Sequence, residues 1–127
     1  MVHKRIIQGM RRLLNKEGIG LYLCEGYEIF PYLGAAIWKP CGYIILASID
    51  QSDEELADTL VHEYIHVLNA DPKVIEEFMK AASIEDAAEY SDADLEQRTI
   101  ELTNWIVGKL TDGEIKPSDI RGLVQSP

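Results

Sequence analysis

Positive charge is what this 127-residue chain has least of: twelve Lys and Arg stand against 22 Asp and Glu, for a net charge of −10. The shortage is uneven. Residues 1 to 16 hold five of the twelve basic residues and no acid, so the other seven face all 22 acids, a net of −15 over the remainder. A phosphate backbone is held mainly by Lys and Arg that displace its counterions, and an acidic body repels it, which argues against nucleic acid as a partner. Long apolar runs are missing too, and nothing approaches the roughly eighteen consecutive apolar residues that a membrane span needs. The opening MVHKRIIQGMRRLLNKEG interrupts its apolar residues with Arg, Lys and Gln and so lacks the core of a signal peptide. A soluble, cytoplasmic protein without a membrane partner is the expectation. Cysteine is scarce: Cys24 and Cys41 have no CxxC spacing, and packed thiols are expected of them. A Cys24–Cys41 disulfide would require the two to face each other on neighbouring strands. Repeats and low-complexity tracts are also absent, and the length suits one domain, 1–127, with one core.

What is present reads as an α+β chain. Ile6, Ile7, Met10, Leu13 and Leu14 recur at helical spacing up to Gly18 and Gly20, predicting an amphipathic helix over 2–16 that packs on its own domain. Residues 21–49 change to short apolar and aromatic runs divided by Pro and Gly, predicting two or three strands. The runs 34–38 and 43–49, joined by Lys39, Pro40, Cys41 and Gly42, predict a β-hairpin. Ser52 opens SDEE, a capping box for a helix running to about Asn69, where Asp71 and Pro72 close it. A further helix is expected at about 73–82, burying Val74, Ile75, Phe78 and Met79. Another, capped by Ser91 with Asp94, should extend to about Leu110. From Thr111 the polar tail, 111–127, reads as loop or loosely held chain.

Histidine is rarer than any of these residues might lead one to expect, with three in the chain, yet two fall in TLVHEYIHVL, residues 59–68. His62 and His66, at i and i+4, share one helical face and can both reach a single cation at about 2.0–2.1 Å. Glu63, one position round, can take a proton from metal-bound water without being a ligand. A catalytic zinc commonly has a third protein ligand. His3 is the remaining histidine and lies near a helix end that frays, so a carboxylate is expected from the helix after Ser91, where Glu96 and Glu101 compete. At 100° per residue Glu96 falls among Leu95, Thr99, Ile100, Thr103, Ile106, Val107 and Leu110, the apolar side, whereas Glu101 falls opposite. An acid in a core-facing stripe is costly unless it is paired or bound to a metal, which favours Glu96. Tyr64 and Tyr90 are expected to be core anchors rather than donors to a reacting oxyanion.

The stretch GAAIWKPCGYIILASIDQSDEELADTLVHEYIHVL, residues 34–68, resembles the strand, strand, HExxH-helix core of small zincin metallopeptidases, of the ImmA/IrrE type and the compact minigluzincins. The likeness extends more loosely to the acid-bearing helix at 92–110. It implies a short, mostly antiparallel sheet packed on the HExxH helix and further helices, with zinc held by His62 and His66, Glu63 as general base and acid, and Glu96 as the third ligand. It further implies that strand 43–49 pairs with an extended peptide substrate. In the ImmA/IrrE pattern the acid often precedes an Ala and stands four before an aromatic. The sequence ELTNW meets only the second condition, at Glu101, so both acids remain open. The expected function is a zinc-dependent metallopeptidase acting on peptide or protein. The alternative is a zinc-stabilised regulatory or interaction module, inert or latent, with the tail over the site and Glu114 or Asp119 at the open metal position. A metal-free structural protein is a third reading, and the same donor set suits other divalent ions.

Overall fold

A computed structural model describes residues 2–30, 32–39, 42–69 and 93–125. The expected helix at 73–82, its neighbours Asp71 and Pro72, the Ser91 cap, Tyr90 and the hairpin residues Pro40 and Cys41 lie outside the described residues, and with Cys41 the question of a disulfide.

Helix α1, Val2–Lys16, buries the five apolar residues that the spacing picks out. It stops in a Schellman turn: Gly18 adopts φ +74, its N–H bonds the Asn15 carbonyl, and the Ile19 N–H bonds the Leu14 carbonyl. A side chain at Gly18 would be strained in that conformation. Strand β1, Gly20–Cys24, follows. The apolar run 21–30 then bends into a four-residue helix, α2, Gly26–Ile29, rather than continuing as strand. The Glu28 carboxylate accepts the Glu25 N–H, and Asp50 accepts that of Gly26.

Strands β2, Gly34–Lys39, and β3, Gly42–Ser48, form the expected antiparallel hairpin, each reaching one residue further into the connection than the sequence indicates. The sheet itself departs from the expectation of a mostly antiparallel one. Its order is β1-β3-β2, and β1 pairs with β3 in parallel, so the sheet is mixed. Strand β3 is therefore central, with β1 on one side and β2 on the other along its length.

Helix α3, Asp53–Leu68, begins with the full capping box: Ser52 Oγ accepts the Glu55 N–H at 3.2 Å and Glu55 Oε1 accepts the Ser52 N–H at 3.0 Å. It packs against α1, β2, β3 and helix α4, Ala93–Thr111. Met10, Leu14, Ile45, Leu60, Ile65 and Ile106 are fully buried where these elements meet. On α4 the buried face comprises Thr99, Thr103, Ile106 and Leu110, while Ile100, about 100° round from Thr99, is 40% exposed and leaves the expected stripe.

The tail is not loose. A 3₁₀ turn, Pro117–Asp119, leads into helix α5, Ile120–Gln125. Ile120 is fully buried and Arg121 pairs with Glu17, which also accepts the Tyr64 hydroxyl at 2.6 Å. Ile120, with Ile115 and Val124 packed partly buried against the same core, thus anchors the segment. The whole is an α+β arrangement, with five helices among the described residues, none of them long and apolar enough to cross a membrane.

Candidate metal centre

Nearly three turns beyond its Ser52 cap, α3 carries His62, Glu63 and His66, and the packing of α4 across it brings Glu96 opposite. His62 Nε2 lies 2.9 Å from Glu96 Oε1, His66 Nε2 lies 2.9 Å from Glu96 Oε2, and the two Nε2 atoms are 3.1 Å apart. Three donors therefore close a small triangle whose members come from two helices. About a tetrahedral zinc, donors at roughly 2.0–2.1 Å would stand about 3.3 Å from one another. A spread of a few tenths of an ångström would admit the ion, so donor chemistry and spacing fit it. The side chains of His62, His66 and Glu96 keep 22%, 25% and 45% of their surface open to solvent, so the triangle can be approached from outside.

Glu63 belongs to the same cluster: donor atoms of His62, Glu63 and His66 lie within 4.8 Å of one another, a group able to hold a metal ion. Its carboxyl is buried. Burial, and secondarily the charge of Glu96, push its pKa up to about 8. A cation held by the triangle would offset the Glu96 charge and act in the opposite direction. Burial pushes the His66 imidazole down, which favours the neutral ring whose lone pair a metal requires.

The sheet reaches the centre through Gly34. A Cβ there would overlap Thr59 Cγ2 and stand 3.3 Å from Glu63 Cγ, so only glycine lets β2 approach α3 this closely. The approach is pinned by polar contacts: Thr59 Oγ1 donates to Gln51 Oε1 at 2.8 Å, and Gln51 Nε2 donates to the carbonyls of Ser48 at 2.8 Å and Leu33 at 3.2 Å.

Of the competing acids, Glu96 joins the histidines and Glu101 does not, being exposed and bonded to Gln97. His3, on α1, is not a member of the cluster. Tyr64 turns away, fully buried, with its hydroxyl on Glu17, and is a core anchor as expected. The tail acids are engaged elsewhere: Glu114 pairs with Lys109 and Asp119 accepts the Lys116 N–H. Neither stands at the open position that a latent enzyme would have them fill. Sequence reasoning assigned no role at the centre to one neighbour, Thr103, whose Oγ1 faces His62 Nδ1 at 3.4 Å. Its signal was a polar residue in the buried face of α4, seven after Glu96.

Compared with family models, curated proteins and solved structures, the chain matches none. The chemistry of the centre rests on its own geometry.

Proposed function

We propose that the protein is a zinc-dependent metallopeptidase. The observation that carries this reading is the convergence of His62 Nε2, His66 Nε2 and the Glu96 carboxylate beside a buried glutamate. His62, His66 and Glu96 would hold the ion. When bound, zinc supplies a Lewis acid that polarises a peptide carbonyl and lowers the pKa of a coordinated water. Glu63 takes the proton from the attacking water and returns it to the leaving amine. Its place in the same cluster as the ligands suits it to that exchange, because its donor atom lies within 4.8 Å of those of His62 and His66.

The peptide-binding strand changes from the one that the resemblance implied. Strand β3 already has a partner on each side. Among the described residues no strand pairs with the outer edge of β2, and its first residue, Gly34, stands against Glu63. An extended substrate laid along β2 would satisfy unpaired backbone groups and pass beside the general base.

One observation favours a second reading, a zinc-stabilised module that binds without hydrolysing: the ligands come from α3 and α4, so an ion would staple two helices that pack here. The Glu63→Gln variant tests the choice. The peptidase reading expects zinc to remain bound while hydrolysis of a general protein substrate falls by at least about 10²-fold. Equal activity in the variant and the unaltered protein would rule out Glu63 as the base.

A further inference from the structure

Resting on the zinc reading, we infer that Thr103 is a positioning residue for His62, fixing which ring nitrogen faces the ion. His62 presents Nε2 to Glu96 and His66, and its other nitrogen, Nδ1, faces Thr103 Oγ1 at 3.4 Å. What the hydroxyl can offer depends on where its proton is. Thr103 Oγ1 donates to the Thr99 carbonyl at 2.6 Å, a bond buried within α4. A helical threonine commonly returns its hydroxyl to the carbonyl four residues back, so that bond alone has no functional meaning. Its consequence for the oxygen does: with the one proton committed, Oγ1 has only lone pairs left for His62. Thr103 can then accept from Nδ1–H and cannot donate to Nδ1. The tautomer it favours is the one that leaves the Nε2 lone pair free for a metal.

Burial sharpens the argument. Thr103 is 3% exposed, in a face otherwise suited to Ile or Val, and a hydroxyl there needs partners for its proton and its lone pairs. Thr99 supplies the first and His62 the second. Glu96 and Thr103, seven apart on the same face of α4, would thus serve one histidine from its two sides, one beside Nε2 and the other beside Nδ1. Thr103 touches neither ion nor substrate, so its effect should appear in metal affinity and in the ring proton.

The test compares the full-length protein with Thr103→Val, which keeps the shape and removes the acceptor, and Thr103→Ser, which restores it. Zinc affinity is read by competition with a chromophoric chelator, and the His62 Nδ1 proton by NMR of the zinc-loaded, ¹⁵N-labelled protein. Loss of an outer partner of a ligating histidine typically weakens metal binding about 10–100-fold, and that loss is expected for Thr103→Val, with Thr103→Ser within about threefold of the unaltered protein. The Nδ1–H signal should be protected from exchange in the unaltered protein and Thr103→Ser, and lost to exchange in Thr103→Val. Zinc binding by Thr103→Val within twofold of the unaltered protein would overturn the inference and leave the zinc centre standing. An unaltered protein that takes up no zinc would overturn both. Should Thr103→Val fail to fold, the unaltered protein still decides, because a rapidly exchanging His62 Nδ1–H would contradict the contact.

Discussion

Gly34 shows how closely single residues set this site. Its missing side chain lets β2 lie against Thr59 and Glu63, so Gly34→Ala forces an overlap with a threonine methyl whose own hydroxyl is tied to Gln51. Overpacking of this kind costs about 1–3 kcal/mol, and urea unfolding of the variant should show a loss of that size. The residues with a fixed chemical pattern were legible in the sequence: the i, i+4 spacing of His62 and His66 puts both on one face whatever the rest of the fold does. Periodicity also favoured Glu96 over Glu101, and the packing of α4 on α3 places Glu96, of the two, beside the histidines. Gly34 and Thr103 were not legible in those roles. A glycine's close approach and the partner of a threonine's lone pair depend on elements far away in sequence, and no local pattern encodes them.

At the level of elements, caps and hairpins were readable because they are local, whereas sheet order was not. The hairpin between β2 and β3 follows from a short connection, but the parallel pairing of β1 depends on where α2 and the hairpin return the chain. That pairing turned β3 from a free strand into the central one. The Ser52 box at the start of α3 offers a test of the local part. Ser52→Ala should cost about 1 kcal/mol by chemical denaturation at neutral pH. Glu55 completes the box, and the Ser52 backbone N–H, with the Ser52 hydroxyl, holds its carboxyl below the ordinary value. A lowered carboxyl releases its proton more readily in the folded than in the unfolded chain. Its contribution is therefore present above the ordinary carboxylate value and is lost as pH falls through the lowered one. Stability measured from pH 7 into the acid range should show that portion of the decline in the unaltered protein and not in Glu55→Gln.

The whole molecule is organised around α3, which carries the candidate ligands on one side and holds α1 and the tail on another. Tyr64, next in sequence to Glu63, meets Glu17, just past the end of α1, which in turn holds Arg121 of α5. The tail therefore supports the back of the HExxH helix. Its polar composition hid this, because the apolar residues that dock it, buried Ile120 with Ile115 and Val124 partly buried beside the core, are few and set among polar ones, and one ion pair completes the contact. Ile120→Ala should destabilise the protein by about 2–5 kcal/mol, read as a lowered midpoint in urea. Deletion after Leu110 should lower the thermal midpoint as well, and no gain of peptidase activity is expected from it, since Glu114 and Asp119 are bound elsewhere.

The central claim is that two histidines of α3 and one glutamate of α4 form a zinc centre, and elemental analysis of purified protein tests it most directly, with Glu96→Ala and Glu101→Ala measured alongside. The account predicts near-stoichiometric zinc in the unaltered protein and in Glu101→Ala, and a large loss in Glu96→Ala. No zinc in the unaltered protein after zinc is offered, or zinc kept by Glu96→Ala and lost from Glu101→Ala, would contradict it.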